Sequence, residues 1–200
     1  MIIAITGSIA CGKSTVTNYL LKKGYKVIDA DKIAHDIILY PEVKKYIKKE
    51  FSEEVFEKEE ISRVKLGNIV FNNKEKLNKL NSILHPMIRK EILKKISKSE
   101  NITFLDIPLL FEAKFDDLAD FILVVYTDKL KQIDRLMKRN NITYIEAIKR
   151  IDKQYSSEYK KKLANFVIDN NGTRENTEKQ VDNLLVELNK IRKGKNCVKH

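Results

Sequence analysis

Cysteine is nearly absent from this chain. Its 200 residues hold two, Cys11 and Cys197, which cannot make a disulfide framework or a four-ligand zinc site and so point to a reducing compartment. No run approaches the roughly 18 apolar residues of a membrane-spanning helix. The opening Met1-Ile2-Ile3-Ala4-Ile5 has no basic segment ahead of it, so it reads as a strand rather than a signal peptide, and the cytoplasm is the expected location. Internal repeats and low-complexity linkers are also missing. This length then predicts one domain, or one domain with a small insertion. Clustered arginines and interleaved aromatics are not evident, so no nucleic-acid partner is expected.

What the chain does hold is lysine. Basic residues number 39 against 28 acidic, a net charge of +11. Only seven of the 39 are arginines, which leaves 32 lysines. Lysine, isoleucine and asparagine are abundant together, so most of the charge reads as compositional bias on solvated faces, though a basic balance also suits anionic small molecules. The arginines are the more informative cations, because a guanidinium fork matches phosphate geometry. The 42% apolar content supports a folded core.

Ile2 to Ile5 is a continuous apolar run, the pattern of a strand buried on both faces. A helical pattern follows residues 6–15, with Val16, Tyr19 and Leu20 on one side, and stops at Gly24. Lys26-Val27-Ile28 predicts a second strand, closing on Asp29-Ala30-Asp31. Residues 32–98 read as wholly helical. Pro41 suits a first turn, Val43, Ile47 and Phe51 recur near helical spacing, and two stripes (Leu77, Leu80, Ile83, Leu84; Ile88, Ile92, Ile96) flank Pro86. Strands return at Ile102 to Leu105, ended by Asp106, at Phe121 to Val125, and at Phe166 to Ile168. Between the last two lie helices from about Asp128 and Tyr144, then a lysine-rich stretch, Tyr159 to Lys162. Asp169-Asn170-Asn171-Gly172 is a turn signal, a final helix carries Val181, Leu184, Leu185, Leu188 and Ile191, and Lys193 to His200 lacks a pattern and is expected to fray. Strands alternating with helices predict an α/β fold, a three-layer five-stranded parallel sheet with helices on both faces. The segment 32–98 is too long for a simple crossover and reads as an inserted helical lobe.

Gly7-x-x-x-x-Gly12-Lys13-Ser14 is a full phosphate-loop pattern between a strand and a helix. A loop that wraps a polyphosphate brings backbone N–H groups against phosphate oxygens, so side chains must be small and some positions need positive φ. The helix starting near Lys13 adds its unpaired amides and dipole. Lys13 is expected on the β- and γ-phosphates of ATP, and the Ser14 hydroxyl on Mg²⁺. Asp106, ending an apolar strand, fits a second Mg²⁺-holding group, usually through water; a carboxylate after an apolar strand is also an ordinary occurrence. Cys11, beside a helix N-terminus and a lysine, is expected to lean towards thiolate and to react with alkylating reagents; the alternative is an inert buried side chain.

A phosphate loop alone does not separate a kinase from a switch GTPase. No Asn-Lys-x-Asp guanine motif is present, and Thr127-Asp128-Lys129 is not one. Asp29 and Asp31 follow the second strand, at the end where ligands bind in α/β folds. A carboxylate there can take the proton of an attacking hydroxyl, or Asp31 can instead cap the next helix. Arg135 and Arg139 lie four residues apart, on one helix face, where a lid could close over the γ-phosphate; solvated surface arginines are the other reading.

Several stretches together resemble the dephospho-coenzyme A kinase family. They are Thr6-Gly7-(x4)-Gly12-Lys13-Ser14-Thr15, Asp29-Ala30-Asp31-x-Ile33-Ala34-His35, Arg63-x-x-Leu66-Gly67-x-x-Val70-Phe71, Leu80-Asn81-x-Ile83-x-His85-Pro86, Asp106-Ile107-Pro108-Leu109-Leu110-Phe111-Glu112, Gln154, and Ile168-Asp169-Asn170-Asn171-Gly172. They stand in the family's order from residue 1 to about 190. The resemblance implies ATP-dependent phosphorylation of the ribose 3′-hydroxyl of dephospho-CoA, the last step of coenzyme A synthesis. It implies a single P-loop kinase domain over residues 1–200, a CoA-binding lobe at 32–98 and a lid at 128–162. It also implies ATP contacts from Ala10, Cys11, Gly12, Lys13, Ser14, Thr15 and Asn170, and Mg²⁺ held by Ser14 and Asp106. Substrate contacts are implied for Thr6, Asp31, Arg63, Leu66 and His85, and catalysis for Asp31, Lys13, Arg135 and Arg139. The expected partners are the two small-molecule substrates, with no membrane, and a monomer or weak homo-oligomer. The chain departs from the family at Ala10 and Cys11, which narrow the loop's backbone freedom, and at Asn140-Asn141, where an acidic residue is common. His85-Pro86 reads as a structural turn rather than a catalytic base. Shikimate kinase, which also places two aspartates after its second strand, is the nearest rival; the long helical insertion and the Pro108 to Glu112 segment stand against it. A regulatory or nucleic-acid-binding NTPase module is the rival from another class.

Overall fold

Each apolar run of the sequence becomes a strand, and the glycines and aspartates between them become the turns. The computed structural model describes residues 1–71, 73–99 and 101–197. In chain order its elements begin with β1 (Ile2–Thr6), α1 (Lys13–Lys22), β2 (Lys26–Asp29), α2 (Ala30–Ile37), α3 (Pro41–Phe51), β3 (Phe56–Glu57), β4 (Glu60–Ile61), α4 (Arg63–Phe71) and α5 (Lys74–Ile96). They continue with β5 (Thr103–Asp106), β6 (Phe121–Tyr126), α6 (Lys129–Asn140), α7 (Tyr144–Ile151), α8 (Ser157–Lys162), β7 (Phe166–Asp169) and α9 (Arg174–Cys197). The chain divides into two compact units, Met1–Ile28 with Lys98–His200, and Asp29–Ser97.

The first unit carries the sheet, in the order β2-β5-β1-β6-β7. β1 lies in the middle and pairs in parallel on both sides, Ile3 opposite Phe104 of β5 and Ile5 opposite Leu123 of β6. β7 extends the sheet in parallel from β6, with Val125 opposite Ile168. The expected five-stranded parallel sheet is therefore present. Its core joins Ile3, Ile5, Phe104, Leu123 and Val125 to Val16 and Leu20 of α1 and to Val181, Leu184, Leu185 and Leu188 of α9. Each such side chain contributes roughly 1.5–3 kcal/mol when fully buried. The chain leaves β1 towards β2 on one side, while β6 lies on the other. The carboxyl end of β1 is thus a topological switch point, the usual ligand crevice of such sheets. Two outer segments complete this unit, and one of them differs from expectation. The lysine-rich stretch near 160 is helical (α8), started by the Ser156 side chain, which accepts a hydrogen bond from the Tyr159 amide. The expected fraying from Lys193 is corrected as far as Cys197, where α9 ends; residues 198–200 lie outside the described residues.

The second unit is not wholly helical. Ser52, at φ 67°, breaks the chain out of α3, a short 3-10 turn follows at Glu53–Val55, and β3 and β4 form an antiparallel hairpin. Its two-residue turn, Lys58-Glu59, has φ of 49° and 66°, the double left-handed geometry that normally calls for Asn-Gly. Neither residue signals that turn, so the sequence conceals the hairpin. The second correction concerns Pro86. It does not separate two helices; α5 runs 23 residues straight through it. Losing one backbone bond inside a helix costs about 3 kcal/mol. Leu80, Leu84, Ile88 and Ile92, all buried on one face of α5, outweigh that cost. Pro86 itself is exposed. Asp29, not Asp31, caps α2: its carboxylate accepts the Lys32 amide at 3.0 Å.

The hairpin turn generates a stability prediction. Lys58→Asn with Glu59→Gly places in the turn the residues its geometry favours, and is expected to stabilise the protein by about 1 kcal/mol. An unchanged or lower urea midpoint would contradict this geometry.

Candidate active site

The phosphate loop follows directly from β1 and ends in α1, at the switch point of the sheet. Two of its glycines are obligatory for different reasons. A β-carbon on Gly7 would lie 2.6 Å from the Val125 carbonyl oxygen. Gly12 has φ 85°, and a β-carbon there would overlap the amide of Asn170. Gly12 is the N-cap of α1 and offers no side-chain acceptor, so no cap side chain competes with an anion at this helix start, where the Thr15 amide already bonds the Gly12 carbonyl at 2.9 Å. Ala10 occupies the left-handed region at φ 61°, which costs an L-residue about 1–2 kcal/mol. The sequence departure at this position is therefore a real strain and not a neutral exchange for glycine.

Cys11 is a correction. Its side chain is buried, at 2% exposure. Burial pushes the thiol above its ordinary pKa; the Lys13 amide and the charges of Lys13, Lys160 and Arg135 oppose this without reversing it. Burial therefore disfavours the thiolate expected from its position next to a helix start, because the sulfur lies inside the loop and away from water.

The backbone of Cys11 is the better-connected part of that residue. Its carbonyl oxygen faces the Thr127 hydroxyl at 2.9 Å, the Asn170 side-chain amide at 2.8 Å and an Arg135 guanidinium nitrogen at 3.4 Å. Peptide groups are planar and trans, so a carbonyl held inward turns the next N–H, that of Gly12, the opposite way. Three donors, from the residues directly after β6 and β7 and from α6, thus aim the loop's amide outward. Thr127 was not anticipated; it is fully buried, and its only trace in the sequence is its position directly after the cleanest buried strand.

Lys13 forms an ion pair with the Asp106 carboxylate at the end of β5, so the two predicted phosphate-site residues are brought together. The Ser14 side chain is exposed in the first turn of α1. Ser14 and Asp106 supply hydroxyl and carboxylate oxygens, the hard donors Mg²⁺ prefers, and Mg²⁺ needs few protein ligands when phosphates complete its shell. The residues present therefore fit that ion.

The other predicted residues divide clearly. Thr6 is buried and donates its hydroxyl to the Pro108 carbonyl at 2.9 Å, which gives it a structural bond. Asn170 is likewise committed: it donates to Cys11 and accepts from the Thr177 hydroxyl at 2.8 Å. Arg135 donates to the Asn170 carbonyl at 2.9 Å and is part of the loop's support. Arg139, one turn further on, is exposed and donates to the side chain of its neighbour Asn140 at 2.9 Å. The two arginines on one helix face are thus unlike in what they touch. In the second unit, Asp31 lies in the first turn of α2 and Arg63 opens α4. Leu66 is buried at 3% exposure, a packing residue. His85 is half-buried within α5, and desolvation pulls its imidazole pKa below the ordinary value.

A cleft of about 330 Å³ opens beside the loop, lined by Gly12, Thr15, Arg135, Asn170, Gly172 and Arg174. A larger one, about 560 Å³, lies at the amino ends of β2 and β5, the opposite edge from the ligand crevice of α/β sheets.

The family model for dephospho-CoA kinase matches residues 1–176. The chain belongs to the dephospho-CoA kinase family. It is 48% identical over 190 residues to a dephospho-CoA kinase of Carboxydothermus hydrogenoformans, covering 92% of each chain. It is 44% identical to one of Oceanobacillus iheyensis, covering 94% of this chain and 98% of that one. A solved dephospho-CoA kinase from Campylobacter jejuni superposes with a TM-score of 0.73 at 34% identity, over 96% of this chain and 98% of that one. A shikimate kinase from Bacteroides thetaiotaomicron, at 15% identity and TM-score 0.53, shares the fold alone, so the shikimate kinase alternative is set aside. The chain is thus a phosphotransferase of coenzyme A biosynthesis that uses ATP, as its motifs implied. No helix among the described residues is long and apolar enough to cross a membrane.

The buried thiol generates a prediction. In a Cys197→Ser background at pH 9, where an ordinary thiol is largely ionised, iodoacetamide is expected to label Cys11 at least about 100-fold more slowly in the folded protein than in urea. Equal labelling rates, followed by mass, would restore the reactive-thiol reading.

Proposed function

We propose that this chain transfers the γ-phosphoryl group of ATP to the ribose 3′-hydroxyl of dephospho-CoA with the following division of labour. The single observation that carries it is the loop that ends in the Lys13–Asp106 pair and has its Cys11 carbonyl held by Thr127, Asn170 and Arg135. Backbone amides from Gly12 onward hold the β-phosphate, and Lys13 exchanges Asp106 for phosphate oxygens. Ser14 and Asp106 would hold Mg²⁺, which would supply positive charge against the phosphates. The cleft lined by Thr15, Arg135, Asn170 and Arg174 receives the adenine, with guanidinium groups suited to lie against a planar ring.

Asp31 takes the proton of the 3′-hydroxyl as its oxygen attacks the γ-phosphorus and ADP leaves. Its neighbour Asp29 is committed to the α2 cap, which supports Asp31 as the base. Residues 32–98 form the CoA-binding lobe, consistent with the separate compactness of residues 29–97; Arg63 and His85 are its polar candidates. Residues 128–162 form the lid. Arg139, exposed on α6, neutralises charge developing on the γ-phosphoryl group, and Arg135 acts through the loop and the adenine. The enzyme works in the cytoplasm as a monomer or weak homo-oligomer, a placement supported by its unpaired, buried Cys11.

Incubation with ATP, Mg²⁺ and dephospho-CoA should yield coenzyme A by mass. Asp31→Asn is expected to lower kcat about 100-fold or more with ATP affinity unchanged; near wild-type kcat would remove it as the base. Lys13→Ala should abolish turnover while circular dichroism stays native. Arg139→Ala should act on kcat, whereas Arg135→Ala should raise the KM for ATP. Identical effects of the two would show that the division between them is wrong.

A further inference from the structure

Lys160 is fully buried, and a buried ammonium is costly unless paired and hydrogen-bonded. Its Nζ lies 3.0 Å from Glu112 Oε1 and 3.0 Å from the Pro108 carbonyl oxygen. Glu112 Oε1 also accepts the Tyr155 amide at 2.9 Å. From there the contacts reach the phosphate loop. The Ser8 hydroxyl donates to the Tyr155 carbonyl at 2.8 Å, and the Ile9 amide donates to the Gln154 side chain at 3.0 Å. Thr6 donates to the same Pro108 carbonyl that Lys160 uses. The first half of the loop is therefore tied, residue by residue, to the segment joining α7 to α8.

The pair is not what a fold alone would select. Replacing a buried ion pair by apolar side chains of similar volume is often neutral or stabilising. Glu112 is also incompletely satisfied: Oε2 is buried and has no hydrogen-bond partner among the described residues. What the pair supplies is direction, because it fixes where Pro108 and Tyr155 present the groups that hold Thr6 and Ser8. The second half of the loop has its own support at Cys11. Ala10, strained at φ 61°, sits between the two.

We propose that Lys160 and Glu112 are positioning residues for phosphoryl transfer, clamping the entry half of the phosphate loop to the segment that joins α7 to α8. Neither touches the reacting atoms. They hold the loop amides in the geometry the transferring phosphoryl group needs, and displacement of such groups by about 1 Å costs about 100-fold in rate. The proposal rests on the loop being the nucleotide site.

The test compares Glu112→Gln with the charge-free pair Lys160→Met/Glu112→Gln, because Lys160→Met alone leaves a buried carboxylate unpaired. Hydrogen exchange at the Ile9 amide reads the clamp directly, without nucleotide, and is expected to speed up at least about tenfold in both variants. At saturating ATP, kcat is expected to fall about 10- to 100-fold with the KM for dephospho-CoA within about threefold of wild type. Unchanged Ile9 exchange, or kcat within about twofold of wild type in a variant that is folded by circular dichroism, would overturn the proposal. Failure of both variants to fold would also overturn it, since the pair would then be an element of stability. If wild type does not bind ADP, the loop assignment fails instead, and faster Ile9 exchange in the variants would still report the clamp.

Discussion

The peptide bond between Cys11 and Gly12 is the constraint around which the phosphate end of this molecule is built. Its carbonyl side is turned into the protein and met by three donors, from Thr127, Asn170 and Arg135. Its N–H side is thereby turned out. The donors are themselves held: Asn170 by Thr177, and Arg135 by the Asn170 carbonyl. They come from the ends of β6 and β7 and from α6, so the geometry of the loop depends on the register of the sheet. Gly12 is required because any β-carbon would overlap the Asn170 amide that does the holding. Catalytic geometry and packing are here one requirement. An anion-binding backbone has no charge of its own to aim, so the protein must aim the peptide planes.

The parts of the fold legible in the sequence are those where one force dominates. A strand buried on both faces must be apolar at every position, so Ile2 to Ile5 and Phe121 to Val125 could be read without ambiguity. The phosphate loop was equally legible, because few residue types tolerate close approach of a polyphosphate. The parts that could not be read are those where forces compete. Pro86 signals a break, yet four buried aliphatic residues on one face of α5 carry the helix through it. Lys58-Glu59 carries no turn signal, yet the ladder between Phe56 and Ile61 imposes the turn. Cys11 has a helix start and cations beside it, both favouring thiolate. Desolvation, invisible without the fold, decides the outcome.

Charge shows the same division. Most of the paired lysines among the described residues lie at the surface, as Lys48 does with Glu53 and Lys138 with Asp134, and such exposed pairs are worth little. That supports solvated bias as the source of most of the net charge. Lys13 and Lys160 are different, at 18% and 0% side-chain exposure. The first is marked by its motif. The second stands in a run of three consecutive lysines, and no spacing rule distinguishes it from its neighbours. Burial separates the lysine with a specific geometric task from those that are merely solvated.

The shared fold also limits where acceptor choice can reside. The parallel sheet is common to this chain and to a shikimate kinase at 15% identity, so it cannot by itself select dephospho-CoA over another alcohol. Within the first unit the loop's supports are spent on backbone and phosphate geometry. Thr6, Ser8, Thr127 and Asn170 all bond inward, which commits them to holding the loop. Discrimination must therefore come from side chains that are not needed to hold the loop. On the proposed assignment these lie in residues 29–97, where Asp31 and Arg63 begin helices and the hydrophobic positions, Leu66 among them, are consumed by packing. A compact unit of its own can change its polar surface without disturbing the register that aims the phosphate loop, which is how one scaffold serves kinases of unlike acceptors.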